Sequence, residues 1–157
     1  MTDDLDVSEL LRTVGFDAAH SVLTDRQAQV LAMRERDFTQ AAIADRLGTS
    51  RANIASIEAS ARENVEKARE TVEFVHALRA PAQVSILEGT DLYDVPGKVF
   101  AACDDADIKV NYTAPELMKR ISDAAEDAIE GREVSENLLV SVTTEGTIKI
   151  RRQSGET

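Results

Sequence analysis

There is no tryptophan in this sequence, and aromatic residues occupy only 4% of its 157 positions. Stacking of single-stranded nucleic acid on aromatic platforms is therefore not expected, and any core must be aliphatic and alanine-rich. A single cysteine, Cys103, excludes an intrachain disulfide; with only His20 and His76 beside it, a Cys/His zinc cluster is excluded too. Cys103 is read most simply as a small buried residue on a helix, with a redox role as the lesser alternative. No hydrophobic run approaches the length of a membrane span and no signal peptide opens the chain, which predicts a cytoplasmic protein with no membrane partner. A Ser-His-Asp set, a Gly-rich phosphate loop and metal-ligand spacing are all missing. The sequence thus predicts no catalytic residues, no metal site, no cofactor and no enzyme.

Lysine is scarce as well: five against thirteen arginines, in a chain of net charge −11 and pI near 4.6. A nucleic-acid binder is ordinarily basic, so this balance speaks against one unless the charge is unevenly spread. It is. Thr24 to Arg79 holds nine basic and nine acidic side chains and is neutral, while the excess acid lies before it and in the second half. Acidic surface, arginine over lysine and a low pI fit life in molar salt and point to a haloarchaeal source. At about 1 M salt the Debye length falls to about 3 Å. Repulsion from a polyanion then matters little, phosphate attraction weakens too, and binding must rest on close contacts and groove fit. The competing reading is that the acidity simply marks a chain that does not bind DNA.

The neutral stretch, Leu23 to Leu78, contains three helix starts, two tight breaks and one long final helix. Thr24-Asp25-Arg26-Gln27 is a capping box, with Leu23 placed to staple onto the first turn. This helix is expected to run to about Arg36, with Ala28, Val30, Leu31 and Met33 inward. Asp37-Phe38 breaks it, and Thr39 caps a short helix from Gln40 to Leu47 with Ile43 and Leu47 inward. Gly48 supplies the left-handed residue that permits a sharp turn, and Thr49 or Ser50 caps the third helix. The second helix, the glycine turn and the third helix together have the size of a helix-turn-helix.

In that arrangement the third helix is the reader. Ile54, Ile57 and Ala61 fall inward, so Ser50, Arg51, Ala52, Asn53, Ala55 and Ser56 face out. Arg51 can fork onto a guanine edge or a phosphate, and Asn53 can pair with an adenine edge. Thr39 and Gln40 open a helix whose free N–H groups can anchor a phosphate. Arg26, Arg34, Arg36, Arg46 and Arg62 can add backbone contacts, which position without specifying. The plainer reading is a helical hairpin with Arg51 as solvated surface. No proline or glycine interrupts Ser50 to Ala80, so the third helix can continue to about Leu78. Val65, Ala68, Val72 and Val75 extend its apolar stripe at threes and fours. That seam serves either a homodimer, setting the spacing of two half-sites, or packing on the second domain.

The run TQAAIADRLGTSRANIASIEASARENVEKA is similar to the helix-turn-helix segment of the archaeal Tfx-type DNA-binding transcriptional regulators. It is more distantly similar to sigma-factor region-four and LuxR-type units. SRAN…SIE…ARENVEKA is the specific part; TQxxIAxxLG is shared by many regulators. Downstream, GTDLYDVP and KVNYTAPELMKRI resemble the Tfx carboxy-terminal domain, so the resemblance covers about Leu23 to Arg152 and leaves the preceding residues outside. It implies a regulator bound to promoter-proximal double-stranded DNA, with Arg51, Ala52, Asn53, Ala55 and Ser56 at base-facing positions.

The rest of the chain supplies the frame. Residues 1–22 form an extension: an acidic frayed start, then a short helix capped by Asp6, with Val7, Leu10, Leu11 and Val14 apolar and Gly15 at its end. Residues 23–80 form the helix-turn-helix domain, closed by Pro81. Residues 81–152 form a second domain, and 153–157 a loose tail. In the second domain Gln83–Glu88 reads as a strand, Asp94-Val95-Pro96 as a helix start and Ile108–Tyr112 as a strand. A helix follows from Thr113 or Ala114 to Gly131, with Leu117, Met118, Ile121, Ala125 and Ile129 inward. Asn137–Thr144 and Thr147–Arg151 make a hairpin about Glu145-Gly146.

The fold class expected is α+β: an all-α helix-turn-helix unit with a long connecting helix, then a small β-α-β-α-β-β domain. The turn Glu88-Gly89-Thr90-Asp91 is read first as ordinary loop geometry, with binding of a small anion effector through its backbone N–H groups as the lesser alternative, and the domain reads as a sensor or oligomerisation module. The function expected is sequence-specific reading of double-stranded DNA by a homodimer. The alternatives are a non-catalytic interaction module using the acidic face, and a small-ligand-sensing α/β domain with a helical appendage.

Overall fold

A computed structural model of the chain describes residues 5–153. Of the expected frayed start, Met1 to Asp6, and loose tail, 153–157, residues 1–4 and 154–157 lie outside the described residues; Asp6 caps a helix and the Gln153 N–H donates to Asn137 O at 2.9 Å, so those ends are held. The chain divides into two compact units, one ending at Glu73 and the other beginning at Phe74.

In the first unit each helix begins where a side chain can cap it. Helix α1 (Val7–Thr13) is capped by Asp6, whose carboxylate accepts the Glu9 N–H at 3.0 Å. Val14, expected on its apolar side, is 70% exposed, because the helix has already ended and Val14 is its C-cap. Helix α2 (Asp25–Glu35) has the reciprocal box: the Thr24 hydroxyl accepts the Gln27 N–H at 3.1 Å and Gln27 Oε1 accepts the Thr24 N–H at 3.0 Å. Asp37 adopts φ 64° at the break, and Phe38 turns inward with its N–H on Met33 O at 3.1 Å. Thr39 caps α3 (Gln40–Leu47) and Gly48 ends it at φ 68°, a left-handed backbone that a side chain would strain. Ser50 then caps α4 (Arg51–Arg79), accepting the Asn53 N–H at 3.1 Å. Val30, Met33, Phe38, Ile43, Ala44 and Ile54 close the core, with Val7 and Leu47 against them. Three helices thus present one apolar stripe each to a common centre.

The second unit is α+β, as expected. Strands β1 (Ala82–Ile86), β4 (Leu138–Val142) and β5 (Ile148–Arg152) form an antiparallel sheet in the order β1-β4-β5. Val84, Val140 and Ile150 lie side by side in register. Alternation along these strands sends Ile86, Leu138, Val140 and Val142 to one face, where they meet Val95, Val99 and Cys103 of α5 (Val95–Asp105) and Leu117 and Ile121 of α6 (Ala114–Ala124). Cys103 is a core residue whose thiol pKa is raised by burial and then by the neighbouring Asp104.

Two expectations fail here. Ile108–Tyr112 is not a strand. Asp107 takes φ 54°, the Ile108 N–H returns to Cys103 O at 2.9 Å, and the Asn111 N–H meets Gly146 O, the turn between β4 and β5, at 3.3 Å. Ile108, Val110 and Tyr112 do pack on the core, so the alternating pattern reports burial without a ladder. The close approach also demands glycine at 146, where an added Cβ would lie 2.2 Å from Lys109 O. Helix α6 does not reach Gly131 either. Ala125 leaves helical geometry at φ −131°, a 3-10 turn spans Glu126–Ala128, and Ile129–Glu130 (β2) pairs with Glu133–Val134 (β3) around Gly131. Buried Ala125 and half-buried Ile129, which packs on the core, carry the apolar spacing that resembled more helix. Among the described residues no helix is long and apolar enough to cross a membrane.

Candidate nucleic-acid interface

The opening of α4 differs from the rest of this acidic chain. Between Gly48 and Arg62 the sole carboxylate is Glu58, and it is buried. Ser50, Arg51, Ala52, Asn53 and Ser56 are exposed and Ala55 is half-buried. The side chains are small, so a groove wall can approach the backbone closely. Arg51 has no partner among the described residues. Asn53 is less free than its exposure suggests: its amide donates to Thr49 Oγ1 at 2.9 Å, which orients the side chain along the first turn. A shallow cleft of about 230 Å³ adjoins this face, lined by Thr24, Arg26, Gln27, Ser56, Ile57 and Ser60. Ser60 and the cleft have no signal in the sequence, whose outward-facing turns end at Ser56.

Glu58 was missed entirely. Arg34 of α2 donates from Nε to both its oxygens, at 2.8 and 3.1 Å, and from Nη1 to Phe38 O at 3.0 Å. Gln40, the first residue of α3, places Nε2 3.5 Å from Glu58 Oε1, and Arg62 places Nη2 3.7 Å from Oε2. Three helices therefore meet at one carboxylate. Its only sequence signal was a glutamate beside the inward stripe of Ile54, Ile57 and Ala61.

These residues lie in segments with known relatives. Residues 21–67 match sigma-70 region 4, and residues 68–150, more than half the chain, match the family described as DNA-binding protein TFX, C-terminal. The chain belongs to the Tfx family. A predicted transcriptional regulatory protein of Haloarcula marismortui is 53% identical over 156 residues, 99% of this chain and 98% of its own. A similarly described protein of Methanocaldococcus jannaschii is 40% identical over 83% of this chain and 95% of its own. The DNA-binding protein Tfx of Methanothermobacter thermautotrophicus is 35% identical over 80% of this chain and 91% of its own.

Within this Tfx-family chain the other expected contacts separate. Thr39 spends its hydroxyl on the Ala42 N–H at 3.1 Å, and the Gln40 amide leans on Glu58. Arg46 donates to Leu5 O and lies 5.5 Å from the Phe38 ring centre, so it secures the fold. Arg34 and Arg62 are drawn to Glu58. Arg26 and Arg36 remain exposed, with no side-chain partner among the described residues. Along α4, Val65 is 41% and Val72 52% exposed, while Ala68 and Val75 are half-buried.

At Glu88-Gly89-Thr90-Asp91 the loop has ordinary geometry, and the lesser reading as an anion site is left without donors. The Glu88 N–H donates to Asn137 Oδ1 at 2.8 Å, the Gly89 N–H to Val134 O at 2.7 Å and the Thr90 N–H to Leu87 O at 3.1 Å. Those donors are consumed within the unit, and the Asp91 carboxylate faces Arg132. Among the described residues no group of three or more metal-ligating side chains comes together.

Proposed function

We propose that this chain is a transcriptional regulator that reads double-stranded DNA in promoter regions by seating the start of α4 in the major groove. The observation that carries the reading is the absence of any exposed carboxylate from Gly48 to Arg62 in a chain of net charge −11. A polyanion can approach that face without meeting charge of its own sign. The matched helix-turn-helix segment and the names of the relatives support it. In this reading Ser50, Arg51, Ala52, Asn53, Ala55 and Ser56 face base edges, Arg51 as the fork and Asn53 as the amide. Thr39, Gln40 and Arg62 lie at the flanks, and Arg26 and Arg36 take phosphates. The test is enrichment of duplexes from a random library in high salt, followed by Arg51→Ala. The variant should lose about 1–3 kcal/mol on the enriched duplex. Binding equal to the parent's would move the reading face elsewhere.

The same reading includes a homodimer joined along Val65, Ala68, Val72 and Val75. It is supported by the stripe's period and by the exposure of Val65 and Val72 on a helix that no proline or glycine breaks. Pairing two reading helices would set the separation of half-sites. A Val65→Glu, Val72→Glu double variant should sediment as a monomer and bind a single half-site with little cooperativity. An unchanged sedimentation profile would refute the seam.

A further inference from the structure

We infer that Glu58 is the positioning residue of the reading head and sets its specificity, an inference that rests on the DNA-reading function proposed above. Among the described residues it is the only charged side chain that is buried, at 6% exposure. It sits about two turns beyond Arg51 on α4, and it is buried where Arg51 is exposed. What it touches is the scaffold. Arg34 brings α2 to both carboxylate oxygens and, through Nη1, holds Phe38 O at the α2–α3 break. Gln40 brings the first turn of α3, and Arg62 brings the next turn of α4 itself. The carboxylate is an acceptor on which the three helices converge, so it fixes the angle at which α4 leaves α3.

It has a second consequence, of opposite sign for unspecific binding. Arg34 and Arg62 are 35% and 56% exposed at the side chain, close enough to solvent to turn toward a phosphate if released. While Glu58 holds them, they add little to the sequence-blind electrostatic term that governs non-specific affinity. Glu58 thus improves the aim of α4 and withholds two guanidinium groups from the backbone. Both effects raise the ratio of operator to random affinity.

The test compares Glu58→Gln with Glu63→Gln in the full chain. Glu63 is exposed and its pair is Lys67, at 3.1 Å, so its replacement removes the same formal charge without touching the convergence point. Each protein is measured against the duplex the parent enriches from a random library and against a scrambled duplex, across salt, at a temperature where circular dichroism shows all three folded. Glu58→Gln should bind the scrambled duplex several-fold more tightly, with a steeper salt slope from up to two added phosphate contacts, and its operator-to-scrambled ratio should fall about tenfold or more. Its free-state amide resonances at Gln40–Ala42 and Arg51–Asn53 should move. Glu63→Gln should leave the ratio and those resonances near the parent's. Equal behaviour of the two variants would reduce Glu58 to net charge. Loss of both affinities in proportion to lost folded protein would reduce it to a stabilising ion pair. Failure of the parent to enrich any duplex is a separate outcome and sinks the DNA-reading function itself.

Discussion

Two polar side chains are buried among the described residues, one in each unit, and they are provided for very differently. Glu58 has both oxygens engaged by donors from α2, α3 and α4. Ser141 is 2% exposed and its hydroxyl has no partner among the described residues. It lies on β4 between Gln83 and Lys149, on the sheet face opposite Val140 and Val142, which the end of α4 helps to cover through Phe74, Ala77 and Leu78. The first unit spends its buried polarity on orientation. The second is an aliphatic core in which one hydroxyl is tolerated. The difference matches the proposed division of labour: a reading head needs a defined angle, whereas a packed sheet needs only to stay folded.

The largest test of that comparison is to damage each core alone. Ile54→Ala in the first unit and Leu138→Ala in the second each remove a fully buried side chain and should cost about 2–5 kcal/mol. If the units are independent, calorimetry should show one transition moving and the other staying, and only Ile54→Ala should abolish duplex binding. A common shift would make the two units one cooperative body.

A smaller effect, of opposite sign in the two units, should follow from the buried polar groups. Glu58→Ala should destabilise the first unit by about 1–3 kcal/mol, with the partly exposed Arg34 rehydrating and keeping the loss below that of a fully buried pair. Ser141→Ala should be neutral or stabilising by up to about 1 kcal/mol, since it deletes a hydroxyl that makes no hydrogen bond. Chemical denaturation of each variant reads both, and a destabilised Ser141→Ala would mean that the hydroxyl is partnered in solution.

The smallest contrast is acid sensitivity. Three carboxylates of the second unit lie below the ordinary range. Asp91 is held there by the Tyr93 N–H and then Arg132, Glu116 by the Thr113 N–H and hydroxyl, and Asp127 by Arg152. In the first unit Asp17, beside His20, is the one such group among the described residues. A depressed carboxylate contributes stability that is complete above its unfolded pKa and is lost as pH falls through its folded one. The second unit should therefore lose stability more steeply below about pH 4, the unfolded carboxylate range. Asp17, Glu116 and Asp127 are exposed and Asp91 is half-buried, so the difference is modest and should shrink in molar salt. A steeper loss in the first unit would reverse the assignment.

How far the sequence could be read depended on the range of the interactions involved. The capping box at Thr24-Gln27, the caps at Thr39 and Ser50, and the left-handed glycine at 48 were legible because their partners lie within a few residues. The apolar stripe of Ile54 and Ala61 was legible because helical period and burial coincide. Ile108–Tyr112 misled because period-2 burial does not reveal whether a strand lies alongside. The adenine-pairing capacity of Asn53 is legible from its type, but the hydrogen bond from its amide to Thr49, four residues away, is not.

By itself, then, the order of residues determined the helix starts of the first unit, the glycine stop at 48 and the neutral patch within an acidic chain, since these depend on charge, cap and period along one segment. Only the tertiary structure decided that Glu58 ties three helices together, that Arg34, Arg46 and Arg62 are drawn into the fold while Arg26, Arg36 and Arg51 stay free, and that the donors at Glu88–Thr90 are used up. A hydrogen-bonding group acquires its role from whatever the fold sets opposite it, and that neighbour is distant in sequence.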